Sequence, residues 1–144
     1  MVLLVEPQFR NKLNIRNIEK RDYKYINKWW KDSDLPIPKL TALPENGLGG
    51  LIIEKEKPIA AAYIYLTNST MGYVDYLISD PEYKSRDKYN ILLELVKQCT
   101  EHCKSLGFEI TWAMLENKHL VNMAIETGWK TWGGPQTVVT YKNN

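Results

Sequence analysis

The chain has 144 residues, and 19 basic against 17 acidic side chains leave a formal net charge of +2. Hydrophobic residues make up 44% and charged residues 25%, the balance of a soluble globular domain, which excludes global disorder. The length suits one domain with a core large enough to need no disulfide staples, and the longest apolar run, 58–66, is far short of the roughly 20 residues that cross a bilayer.

Residues 1–5 lack a basic flank and are cut off by Glu6-Pro7, a poor match to a signal peptide. The expectation is a cytoplasmic protein with no membrane partner, a short extension over 1–12 and a core over 13–141. Charge is uneven: residues 10–31 carry eight basic groups and two acids. A chain this near neutral overall is not a dedicated nucleic-acid coat, but one basic face can still meet a polyanion.

Residues 13–16 alternate and predict a short strand. A helix follows over 20–30, with Tyr23, Ile26 and Trp30 on one face, widened by Tyr25 and Trp29, and with Lys20, Lys24 and Lys28 as a basic stripe. The stretch 32–50 holds three prolines and three glycines and predicts a binding loop or a hidden short helix around 39–43. Strands are expected over 51–54, 59–66 and 73–79, forming an antiparallel meander that Asp80-Pro81 ends.

From about Lys88 the apolar period lengthens to that of a helix. Leu92, Leu95, Val96, Cys99, Cys103 and Leu106 share a stripe, and Gly107 is the stop. A strand over 108–113, a helix over 117–127 closed by Gly128, and a last strand over 138–141 complete the order. One helix between strands 73–79 and 108–113 makes them parallel. The fold class expected is α/β (α+β), a mixed, mostly antiparallel central sheet with helices on both faces.

This order resembles the GNAT superfamily of acyl-CoA-dependent N-acyltransferases over about residues 13–141. Leu77-Ile-Ser-Asp-Pro-Glu-Tyr83 is similar to the end of the family's fourth strand and the start of its phosphate-binding turn, and Asn117 followed at +11 by Gly128-Trp129 is similar to its Asn…Gly-Phe segment. Lys28-Trp-Trp-Lys31, Leu43-Pro-Glu-Asn-Gly47, Pro58-Ile-Ala-Ala-Ala62 and Leu66-Thr-Asn-Ser69 resemble small GNAT-like proteins of tailed bacteriophages. The resemblance implies acetyl-CoA or another acyl-CoA as cofactor. Leu77, Ile78 and Ser79 would meet its acyl and pantetheine portion, Lys84, Ser85, Arg86, Lys88 and Tyr89 its phosphates, and Asn117 its pantetheine arm. It also implies a cytoplasmic setting, that of a bacterial host for a phage-encoded chain.

Two departures from the family pattern stand out. The turn that normally reads Arg/Gln-x-x-Gly-x-Gly/Ala offers bare backbone amides at a helix N-terminus. Here its glycine positions are Ser85, Asp87 and Tyr89. Asp87 is expected to cap the helix with its carboxylate, taking the amides a phosphate needs, so Lys84, Arg86 and Lys88 would have to hold the anion by side chain. The tyrosine that often protonates the departing thiolate in the family corresponds to Ala124, and the sequence selects none of Tyr63, Tyr65, Tyr73, Tyr76 or Tyr83 to replace it.

Asp75, mid-strand on a face shared with Tyr73, Leu77 and Ser79, is the candidate catalytic base. The alternative is an aspartate paired with a cation or bonded to backbone where the sheet splays. Cys99, His102, Cys103 and His119 read either as a Cys₂His₂ zinc set or as buried thiols completing an apolar stripe. Trp29-Trp30 beside Lys20, Lys24 and Lys28 read either as a nucleic-acid surface or as core rings with solvated lysines. Asn117 is also expected to cap its helix. The functional expectations are an N-acyltransferase acting on an amine, or a GNAT-fold protein without that chemistry that binds a macromolecular partner, as a virion-associated or accessory phage protein does.

Overall fold

The computed structural model describes residues 12–134, 137 and 139–143. A five-stranded sheet runs in the order β1 (Asn14–Asn17), β2 (Gly50–Lys55), β3 (Lys57–Leu66), β4 (Met71–Ser79) and β5 (Ile110–Ala113). The first three pairings are antiparallel and β4 with β5 is parallel, as the single crossover helix requires.

Helix α1 (Tyr23–Asp32) covers one face, and α2 (Lys88–Ser105) and α3 (Lys118–Glu126) cover the other. Strand β3 shows why both faces fill. Ala61 and Tyr63 join Ile26, Trp29 and Trp30 of α1, whereas Ala60, Ala62 and Ile64 join Leu92, Leu95, Cys99 and Cys103 of α2. The alanines are fully buried, and their small side chains let helices approach a strand from both sides.

Local chemistry sets the element ends. Glu19 and Asp22 form a reciprocal capping box at a 3-10 turn, Lys20–Asp22, that precedes α1, so the helical turn expected from Lys20 is 3-10 and the α-helix starts three residues later. Two more 3-10 turns, Leu40–Ala42 and Pro44–Gly47, give 32–50 its hidden structure, and the Tyr65 and Tyr23 hydroxyls pin it by donating to the carbonyls of Ala42 and Asn46 at 3.0 Å each. Gly107, at φ +90°, ends α2 as expected.

Three expectations are corrected. Leu106 is 51% exposed, because it lies past the last helical turn, where the stripe no longer faces the sheet. β5 begins at Ile110 rather than 108, since Phe108 still closes the α2 turn through a bond from its amide to the Cys103 carbonyl. Among the described residues of the last expected strand, 139–141 pair with no neighbour, and Val139 and Tyr141 are exposed; residue 138 lies outside the described set.

The close contact of β2 and β3 makes a sharp prediction. A Cβ at Gly50 would lie 2.2 Å from the Ala62 carbonyl oxygen, and backbone cannot give way as a side chain can. Gly50→Ala is expected to destabilise the fold by about 1–3 kcal/mol, read as a lower denaturant midpoint with an unchanged slope.

Candidate functional site

β4 breaks its own alternation. Ala61 pairs with Ile78 and Tyr63 with Asp75, so two residues of β3 advance while β4 advances three. The extra residue is a bulge at Tyr76, whose φ of +52° is the left-handed conformation. The bulge corrects the face assignment. Tyr76 and Ile78 pack with the α1 side, and Leu77 turns to the α2 side, away from Asp75.

The bulge also opens the sheet. β5 pairs with β4 from Met71 to Val74 and ends at Ala113, so Asp75–Ser79 continue with β3 on one edge and, among the described residues, no partner strand on the other. Backbone groups of Leu77, Ile78 and Ser79 therefore border a cleft between the two parallel strands, the edge on which an extended amide-bearing ligand can add as a strand does.

The end of this cleft is the turn into α2. Asp87 stands at the N-cap, but its carboxylate caps nothing: Oδ1 takes the Tyr83 hydroxyl at 3.0 Å. The Ser85 hydroxyl above all, opposed by burial and then joined by the Tyr83 hydroxyl, holds the Asp87 carboxyl below its ordinary range. The expectation that Asp87 consumes the first-turn amides is thus overturned, because a tyrosine one helical turn earlier competes for the carboxylate.

The Lys88 amide bonds back to the Ser85 carbonyl, and among the described residues the amides of Lys84, Ser85, Arg86, Tyr89 and Asn90 have no protein acceptor. Lys84, Ser85 and Arg86 are exposed around them. Lys88 reaches back to the Asp80 carbonyl at 3.4 Å. Tyr89 crosses to α3, where its hydroxyl accepts from Asn117 Nδ2 at 3.3 Å and its ring stands edge-on to His119 at 4.7 Å. Asn117 caps α3 as expected, its Oδ1 accepting from the Leu120 amide at 3.0 Å. The structure so brings Tyr89 and Asn117 together at one end of the cleft, with Lys84, Ser85, Arg86 and Lys88 along the turn.

At the other end lies Asp75. Its Oδ1 accepts from the Tyr76 amide at 2.7 Å and its Oδ2 from the Tyr73 hydroxyl at 2.8 Å. Of the five tyrosines open at the sequence level, Tyr73 is the one whose hydroxyl meets Asp75; it also lies 2.9 Å from Met114 Sδ. Burial first, and then the bond to Asp75, push the Tyr73 phenol well above its ordinary value, so it stays protonated and donates. Burial pushes Tyr65 up to about 12. Tyr63 is 1% exposed beneath α1, and Tyr83 is engaged with Asp87. Ala124 is itself buried in α3.

Other sequence features fall elsewhere. Trp29 and Trp30 are 2% and 6% exposed, inside the α1 core, so neither ring is available for base stacking. The three lysines are exposed, with Lys28 paired to Asp32 one turn on. Cys99 and Cys103 are fully buried, His102 is exposed, and His119 packs on Tyr89. Burial pushes the Cys99 thiol up to about 12. Both thiols are expected to resist a bulky disulfide reagent in the native protein at pH 8 and to react fully in denaturant. Native-state reaction at the free-thiol rate would contradict this packing.

Sequence reasoning missed Trp112, Met114 and Trp132. Trp112 is visible as an aromatic in a strand, but its place beside Tyr73 depends on strand register, which no local pattern supplies.

No family model matches the chain, and no curated protein sequence matches it. Solved structures do. The chain is similar to glucosamine-6-phosphate N-acetyltransferase from Arabidopsis thaliana at 13% identity, covering 89% of this chain and 98% of that one, with a TM-score of 0.63. It is similar to a GCN5-related N-acetyltransferase from Ralstonia eutropha at 15% identity, covering 89% and 99%, with a TM-score of 0.60. Against N-acetylglutamate synthase from Neisseria gonorrhoeae complexed with coenzyme A and N-acetyl-glutamate, identity is 14% and the TM-score 0.66 over 85% of this chain and 29% of that one. The architecture is therefore the GNAT fold. At these identities the likeness is one of fold alone. Among the described residues no helix is long and apolar enough to cross a membrane.

Proposed function

We propose that the protein is an N-acyltransferase that uses acetyl-CoA or another acyl-CoA and transfers the acyl group to an amine. The observation that carries this reading is the pairing of an open β4 edge over Asp75–Ser79 with free amides around the start of α2. A strand edge suits the amides of a pantetheine arm, and a helix N-terminus flanked by Lys84, Arg86 and Lys88 suits a diphosphate. Asn117 would meet the arm from α3. When bound, the thioester supplies an activated acyl carbon.

The chain's own residues do the rest. Asp75 accepts the proton that an acceptor ammonium gives up, directly or through one water, so that the neutral nitrogen can form the C–N bond as the C–S bond breaks. Tyr73 holds Asp75 in place through its hydroxyl. The departing sulfur takes up the second amine proton.

Calorimetric titration with acetyl-CoA tests this. Micromolar binding is expected, and reversing charge in Lys84→Glu/Arg86→Glu is expected to weaken it by about tenfold or more, the scale of one or two charge-assisted phosphate bonds. Absence of heat and of thermal shift at millimolar cofactor would instead favour a GNAT-fold binding protein without this chemistry, a reading supported by buried Ala124 at the family's acid position.

A further inference from the structure

The single hydroxyl proton of Tyr73 faces two acceptors. The oxygen lies 2.8 Å from Asp75 Oδ2 and 2.9 Å from Met114 Sδ. A phenol has one O–H to give, so Asp75 and Met114 compete for it. A thioether is a weak acceptor and an ionised carboxylate a strong one, and with native methionine the proton goes to Asp75.

The ring cannot swing aside to change this. Tyr65 and Tyr73 lie with centroids 5.6 Å apart, Tyr73 and Trp112 5.5 Å, and Trp112 and Trp132 6.0 Å. Tyr65 pairs with Tyr73, and Tyr73 with Trp112, in register, so side chains of β3, β4 and β5 project to one side. Tyr65 is fixed in turn by the Ala42 carbonyl. A ring flanked on both sides keeps one easy motion, rotation of the hydroxyl about its C–O bond.

Met114 is the partner that can change. It directly follows β5, is 40% exposed, and lines an open groove with Trp112 and Trp132. Of the other described methionines, Met71 and Met123 are half-buried. A thioether open to water is a target for hydrogen peroxide. One oxygen atom is transferred: the S–O bond forms as the O–O bond breaks, sulfur gives up two electrons, and the peroxide leaves as water. The sulfoxide is polar, and its oxygen is a far better acceptor than sulfur. That oxygen also needs room beside a hydroxyl already 2.9 Å from the sulfur.

We propose that Met114 is a redox-modification site, and that its oxidation to the sulfoxide draws the Tyr73 hydroxyl from Asp75. Asp75 then keeps the Tyr76 amide and loses the bond that holds its other oxygen. Methionine sulfoxide reductases reverse the step at the expense of a thiol, so the device resets. Its effect on rate rests on the acyltransferase reading; the change of hydrogen-bond partner does not.

The test is exposure of the full chain, labelled with ¹³C at the tyrosine Cζ, to hydrogen peroxide. Oxidation is mapped by peptide mass, and Tyr73 is followed through the Cζ resonance that Tyr73→Phe lacks. Met114 is expected to oxidise ahead of Met71 and Met123, and the Tyr73 resonance is expected to shift in step with it. Acyl transfer should lose about tenfold in kcat/KM, the scale of one charge-assisted hydrogen bond, with acetyl-CoA affinity unchanged. Reductase treatment should restore both. Met114→Leu, compared with its own untreated sample, should keep its resonance and its rate through the same exposure.

A Tyr73 resonance that stays in place once Met114 is fully oxidised would overturn the inference, as would oxidation of Met71 or Met123 first. Acyl transfer that proceeds unaltered with Met114 oxidised defeats the switch and leaves the acyltransferase reading standing. A shifting resonance in a chain that transfers no acyl group defeats that reading alone.

Discussion

Asp75→Asn is expected to lower kcat/KM for acyl transfer by about 10²–10⁴-fold, the usual contribution of a positioned general base. The amide keeps the carboxylate's shape, and its oxygen can still accept from the Tyr76 amide, so the bulge and the thermal midpoint should change little. What it loses is the capacity to take a proton. Two measurements separate this from a loss of structure. The acetyl-CoA affinity of the variant should match that of the parent, because the groups proposed to hold the cofactor lie along Leu77–Ser79 and in the turn into α2. Its near- and far-ultraviolet circular dichroism should match the parent's as well. A variant that turns over at the parental rate would remove Asp75 from the chemistry.

Asp22→Ala is expected to cost about 3–5 kcal/mol of stability, the range found when one partner of a buried ion pair is removed. Asp22 is 1% exposed, and its two oxygens accept from Arg16 Nη1 and Nη2 at 2.8 Å each, while Oδ2 also takes the Glu19 amide at 2.8 Å. Arg16 in turn donates through Nε to Glu54 at 3.1 Å, tying β1, β2 and the start of α1 together. The alanine variant leaves Arg16 with Glu54 as its remaining carboxylate partner and the Glu19 amide without its acceptor.

The pH dependence follows. Burial alone would raise the Asp22 pKa, but the Arg16 bonds, the Glu19 amide and the charge of Arg16 outweigh it, and the net shift is downward. Glu54 is lowered in the same way, with burial opposed first by Arg16 and then by Asn14. A carboxyl depressed in the folded state contributes stability above its unfolded pKa of about 4 and loses it as pH falls through the folded value. The gap between parent and Asp22→Ala in urea midpoint should therefore be full at pH 7 and narrow below about pH 4. A gap that stays constant down to pH 2 would mean that the ion pair is not its source.

The network was not legible in the chain. Arg16, Asp22 and Glu54 are unremarkable charged residues in sequence, and 38 positions separate Arg16 from Glu54. Their meeting is set by pairing β1 antiparallel to β2. The same holds for the rings: Tyr65, Tyr73 and Trp112 are each ordinary strand aromatics until register lines them up. Asp75 shows the boundary well. Alternation places it with Tyr73, correctly, but extends the same face to Leu77, which the bulge at Tyr76 reverses. Asp87 shows it too. N-cap preference is a local rule, and it fails here because the Tyr83 hydroxyl offers the carboxylate another donor.

Taken by itself, the amino-acid order determined the run of strands and helices, the antiparallel meander, the parallel crossover and the two covered faces. Those depend on the spacing of apolar residues and on glycine, proline and capping groups within a few positions, which each segment carries with it. Tertiary structure alone decided that β4 bulges and parts from β5, that the amides at the start of α2 stay bare, and that four rings and a carboxylate share one open face. The bulge and the shared face are products of strand register, which joins positions far apart in the chain, while the turn depends on the Tyr83 hydroxyl taking the Asp87 carboxylate four residues on, a choice between local bonds that residue type alone does not make.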